Sequence, residues 1–218
     1  MNRQLSQAGR CSSSGFSLVE LLVAIAIIAL LAVLAAPAFQ SISNSFNLAN
    51  GGQALHDTLE LARTTAISKD TNVEVRLYQL PDNAGGAPDN YRAFQIFLKS
   101  SDTPPVYTAV TKMVYLPPGV IVSTNTATTD FLTLSGEPAT GATPPFSATP
   151  ISLPTYGTNY NYLYFCFEPN GGTDLTSGKK WFATVMLQNG PTNSVGVSNN
   201  FITVQVDPVM GRVTMYEP

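Results

Sequence analysis

Charge is scarce in this chain. Charged side chains make up 11% of its 218 residues, against about a quarter in ordinary domains. The balance is slightly acidic, 14 Asp and Glu against 11 Lys and Arg. No basic footprint exists for nucleic acid, so that partner class is excluded. Histidine is rarer still. The single His56 has no second histidine with which to build a metal site, and no H-E-x-x-H, phosphate-binding glycine loop, G-x-S-x-G elbow or Cys-x-x-Cys pair occurs. Spacing alone does not decide a Ser-His-Asp triad, but His56 would have to supply its base. The chain is therefore read as no enzyme, with no cofactor. Of two cysteines, Cys11 and Cys166, the first precedes a long apolar stretch instead of following one, against a lipoprotein signal. The second alternates with Phe165 and Phe167, as a buried structural thiol would.

Where charge is missing altogether, apolar residues are continuous. Residues 21–36 are all apolar, and only Ser17, Glu20 and Pro37 interrupt the frame 16–39. As a helix that frame extends about 36 Å, enough to cross a hydrocarbon core. After Glu20 no ionisable side chain appears until His56. Arg3 and Arg10 precede the span and no Lys or Arg follows until Arg63, which places the amino terminus in the cytoplasm and the remainder outside. An ordinary signal anchor would also look like this, and so would a signal peptide cut after Ala36-Pro37-Ala38. Both leave unexplained a carboxylate, Glu20, at the front of a membrane-grade helix. Glu20 suits the positive end of the helix dipole, but the span itself holds no cation to pair with it.

The run Gly15-Phe16-Ser17-Leu18-Val19-Glu20, with the apolar stretch behind it, resembles the class III signal of prepilins and type II secretion pseudopilins. The resemblance implies cleavage after Gly15 and methylation of Phe16 by the prepilin peptidase/methyltransferase. Such a cut would free an amine on Phe16, one turn before Glu20, and the two charges could neutralise each other within a chain or between neighbours. The resemblance also gives Glu20 a role in assembly. The other partners it implies are pseudopilin or pilin subunits and an inner-membrane assembly platform. Loss of residues 1–15 removes Arg3 and Arg10 but no acid, shifting the net charge from −3 to −5. Pro37 stands where many pilins carry a helix-bending proline. It either kinks the helix or ends the membrane span.

Beyond the span, Phe39, Ile42 and Phe46 continue an apolar face, and Gly51-Gly52 weakens the helix. Leu55, Leu59, Ala62 and Ala66 then recur at spacings of four, three and four, predicting a kinked or two-part helix to about Lys69. Alternating patterns predict strands at 73–78, 91–98, 107–116, 120–123, 131–134, 160–167, 181–187, 201–206 and 212–216. Loops are predicted at 82–90 and 136–158. Asp207-Pro208-Val209-Met210-Gly211 reads as the turn of a final hairpin. The expected class is α+β: a leader 1–15, a transmembrane helix 16–39, an amphipathic continuation 40–70 and an extracytoplasmic antiparallel β-domain 71–218.

Ala62-Arg63-Thr64-Thr65-Ala66-Ile67 is similar to a segment of H-type pseudopilins and related minor pilins. Tyr91-Arg92-Ala93-Phe94-Gln95, Leu116-Pro117-Pro118-Gly119, Asn159-Tyr160-Asn161-Tyr162 and Trp181-Phe182 resemble the Verru/Chthon cassette protein D family of prepilin-type proteins. So do 169–175 and 204–213. That resemblance implies co-encoded prepilin-like partners and no catalytic residue. Glu168, Asn170 and Asp174 crowd a Gly-rich loop as candidate calcium ligands, although turn chemistry explains the same residues without metal. Tyr160, Tyr162 and Tyr164 share one strand face, suited to a covered core, a subunit contact or an adhesive surface. The function expected is a structural subunit of a type II secretion or type IV pilus-like filament. The alternative is a membrane-anchored binding or adhesion module that never polymerises.

Overall fold

The computed structural model describes residues 17–81, 86–103, 105–134, 153, 155–157, 159–192 and 198–217, and no side chains for 34–38. The leader, with Gly15 and Phe16, lies outside the described residues, as do 82–85 and most of the predicted loop 136–158. The chain divides into two units, Met1–Ile42 and Ser43–Pro218, with the boundary inside the first helix.

That helix, α1, spans Leu18–Lys69. It stops where Asp70 takes a left-handed conformation, φ 49°, and the Thr71 N–H donates to the Ala66 carbonyl. This is the six-to-one bond of a Schellman ending, with Asp in the place usually held by glycine.

In the second unit, the predicted stripe faces inward: Leu55, Leu59, Ala62 and Ala66 are all buried, together with Leu48. They pack on one antiparallel sheet. Its strands are β1 Asn72–Leu80, β2 Asn90–Lys99, β3 Tyr107–Ala109, β4 Val114–Tyr115, β5 Val120–Val122, β6 Asn161–Phe167, β7 Trp181–Leu187, β8 Phe201–Val206 and β9 Val213–Tyr216. The order is β6-β1-β2-β5-β7-β8-β9, with β3 and β4 pairing to β2. Every pairing is antiparallel. The fold is thus an amino-terminal helix followed by an antiparallel sheet. Val73, Val75 and Leu77 of β1 join Phe94, Ile96, Val204 and Val206 in the core beneath the helix, as period-two alternation requires.

Three expectations need correction. Residues 131–134 are not a strand; Asp130–Thr133 form a 3₁₀ turn. Side chains compete here with any ladder: the Ala127 N–H donates to Asn125 Oδ1 and the Thr133 hydroxyl to the Asp130 carbonyl. Phe131 and Leu132 are both buried. The predicted strand 107–116 is broken into β3 and β4. Between them the Val110 N–H reaches the Ile96 carbonyl, and the Gln95 amide donates to the Thr111 carbonyl, so side-chain bonding replaces regular pairing. The helix also runs through Gly51-Gly52. A Cβ on Gly52 would lie 2.7 Å from Ile202 Cγ2, and one on Gly51 3.0 Å from Val120 Cγ1. These glycines let helix and sheet approach closely, and packing offsets their weak helix preference.

Candidate functional site

Ser17 and Glu20 build the start of α1. The Val19 N–H donates to Ser17 Oγ at 3.2 Å, and the Ser17 N–H donates to Glu20 Oε2 at 2.9 Å. These reciprocal bonds are a capping box, in which each side chain satisfies a backbone donor that the helix leaves unpaired. The motif is legible as Ser-x-x-Glu, yet the sequence reading gave Glu20 a charge partner, the helix dipole and a role in assembly but no capping bond. In the structure the carboxylate is folded back over the helix start.

Behind the cap, large apolar side chains are exposed on every side of the helix, among them Leu18, Leu22, Ile25, Ile28, Leu31 and Val33. A helix apolar all round needs an apolar surrounding, either lipid or other helices. Among the described residues no helix is long and apolar enough to cross a membrane. The described apolar side chains 18–33 cover about 24 Å, and those of 34–38 are outside the description. The helical backbone continues through Pro37, so that residue does not end the helix. Phe39, Ile42 and Phe46 are exposed as well.

In the β-domain three of the singled-out motifs meet. The Thr173 N–H and hydroxyl both donate to the Pro208 carbonyl, at 3.1 and 2.8 Å. Gly211, with φ 62°, approaches Gly171 so closely that a Cβ would lie 2.2 Å from the Gly171 carbonyl oxygen. Arg63 Nε donates to the Met210 carbonyl, and the Val213 N–H donates to Glu60 Oε1. The loop after β6 and the turn between β8 and β9 are therefore interlocked and tied to the helix. Edge strands β6 and β9, at opposite ends of the sheet order, are joined through these loops. The calcium candidates lie within this unit and bond inside it. Asn170 donates to Glu168 Oε2 and accepts from the Gly172 N–H. Asp174 Oδ1 accepts from the Cys166 N–H at 2.8 Å. Among the described residues no group of three or more His, Cys, Asp or Glu could hold a metal ion.

Sequence reasoning missed a second cluster. Alternation assigns Glu74 and Arg76 to the outer face of β1, yet both are fully buried. Arg76 Nε donates to Glu74 Oε1 at 2.6 Å. The guanidinium lies 4.4 to 4.9 Å from the ring centroids of Phe97, Tyr107 and Tyr162, an aromatic box for a cation. Burial works to lower the Arg76 pKa, but the Glu74 carboxylate together with the Tyr162 and Tyr78 hydroxyls outweighs it and the net shift is upward. Burial pushes the Tyr162 hydroxyl up to about 12. Tyr160 and Tyr162 are buried with Tyr78, and Tyr164 packs against them, so this tyrosine face is core.

His56 sits half-buried on the helix with Nδ1 3.3 Å from Asp57 Oδ1, in a contact between sequence neighbours. Cys166 is a free buried thiol, and desolvation pushes its pKa well up, the opposite of a reactive cysteine.

Residues 10–36 match the prokaryotic N-terminal methylation motif. No curated protein matches the chain. Similar solved structures include the type IV minor pilin FimU of Pseudomonas aeruginosa, at 12% identity with a TM-score of 0.43, covering 78% of this chain and 92% of that one. Another is the minor pseudopilin EpsH from the type 2 secretion system of Vibrio cholerae, at 10% identity and TM-score 0.43, covering 79% and 98%. The segment that begins before Gly15 and takes in the capping box and the apolar helix thus carries a methylation motif.

Proposed function

We propose that this chain is a structural subunit, a pseudopilin or minor pilin, that assembles into a type II secretion or type IV pilus-like filament. The prepilin peptidase/methyltransferase cuts between Gly15 and Phe16 and methylates Phe16. The processed subunit waits as a single-pass protein of the inner membrane with its β-domain outside. It then leaves the bilayer for a stack of neighbouring helices at the assembly platform. Within prepilin-type proteins, its motifs at 91–95, 169–175 and 204–213 favour the Verru/Chthon cassette protein D group. The observation that carries the reading is the pairing of an all-round apolar helix with one carboxylate at its first turn, inside residues that match the methylation motif.

The carboxylate supplies the mechanism. An unpaired acid in hydrocarbon is costly, so Glu20 gains from the Phe16 amine of its own or an adjacent subunit. That gain exists at one axial register and is lost at others.

The capping box makes the test sharper. Glu20→Gln keeps a side chain able to close the box but removes the charge, whereas Glu20→Ala removes both. Both variants are expected to be processed and inserted normally and to fail in assembly, read as loss of the chain from sheared or cross-linked filaments. Normal assembly of Glu20→Gln would reduce Glu20 to a cap. Unchanged behaviour of both would favour the anchored module that never polymerises.

A further inference from the structure

A cavity of about 430 Å³ opens beside the 3₁₀ turn and the start of β7, and nothing in the filament mechanism uses it. Its volume falls in the range of small-molecule sites, about 300–1,000 Å³. Phe165, Leu175 and Trp181 give it apolar walls, while Asp174, Lys179, Thr133 and Thr176 add polar groups. The polar groups are held in place. Asp174 is fixed by the Cys166 N–H. Lys179 Nζ lies 3.8 Å from Asp130, bonds the Thr133 hydroxyl and sits 4.6 Å over the Trp181 ring. The indole N–H is itself anchored on the Thr176 carbonyl.

The lining thus offers one carboxylate, which only accepts when ionised, and one ammonium, which only donates. A simple anion would confront Asp174, and a simple cation would confront Lys179. A hydroxyl serves both, donating to the first and accepting from the second. Burial pushes the Asp174 pKa upward, with the Cys166 hydrogen bonds and the Lys99 ammonium working against it, and the residue keeps solvent exposure through which a ligand can reach it.

We propose that this cavity binds a neutral polyhydroxylated molecule of monosaccharide size, with Asp174 accepting and Lys179 donating hydrogen bonds over the apolar wall of Phe165 and Trp181. The site is independent of the filament reading, because a subunit that never assembles would still bind.

Trp181 is the only tryptophan of the chain, so its fluorescence reports on the cavity directly. The full chain, in a detergent without a sugar headgroup, is titrated with glucose, galactose, mannose and N-acetylglucosamine. Glycine and inorganic phosphate serve as the zwitterionic and anionic probes. The expected result is a saturable emission change with at least one sugar and none with glycine or phosphate. Asp174→Asn, whose amide oxygen still accepts from the Cys166 N–H, and Lys179→Met should each weaken binding about tenfold or more, with unchanged circular dichroism. Saturation by no sugar, saturation by glycine or phosphate, or equal sugar binding in both folded variants would overturn the proposal. The wild-type titration decides on its own if either variant misfolds.

Discussion

Single residues in this chain carry more than their type suggests. Glu20 is both a helix cap and the one acid of an apolar segment, and the Gln and Ala substitutions separate those roles. Glu74 and Arg76 show how a pattern misleads. Their polar alternation on β1 reads as a solvated face, but aromatic side chains from β2, β3 and β6 close over them. Cross-strand neighbours, invisible along the sequence, decide burial. Glu74 Oε2 and Arg76 Nη2 find no hydrogen-bond partner among the described residues. The pair is therefore a poor source of stability but costly to split. Arg76→Met should destabilise the β-domain by about 3–5 kcal/mol by stranding a buried carboxylate. Adding Glu74→Gln should recover most of that loss. Denaturant unfolding followed by Trp181 emission measures both, and additive losses in the double variant would refute the pairing.

At the scale of elements, local pattern succeeded where one face meets the core. The stripe Leu55, Leu59, Ala62 and Ala66 gave the buried helix face, and alternation located β1, β2, β7 and β8 to within two residues. It failed at Gly51-Gly52, where tertiary packing offsets propensity, and at the 3₁₀ turn, where local side-chain bonds compete with a ladder. The motifs 169–175 and 207–211 were legible as separate turns, but their interlocking was not, because nothing in either sequence names the other. Gly211 is the tightest point of that lock. Gly211→Ala combines a left-handed φ with a backbone clash, and should cost about 2–4 kcal/mol. Hydrogen exchange should then show faster opening of β9 and of the loop after β6 together. Opening of β9 alone would mean that the two loops do not act as one.

For the whole molecule, the split into an apolar amino-terminal unit and a β-domain with its own core suits the proposed function, in which one part would leave lipid for protein neighbours while the other stays folded outside. At the amino terminus a lone acid in a charge-free run is conspicuous in the sequence, and residues 10–36 match the methylation motif. The cavity beside Trp181 was not legible, since its walls come from segments far apart in the chain.

The central claim is that processing exposes an amine on Phe16 beside Glu20. Amino-terminal mass spectrometry of the protein purified from its native membrane tests it most directly. The expected product begins at methylated Phe16. A chain beginning at Met1, or at Phe39 after a conventional signal-peptide cut, would contradict it.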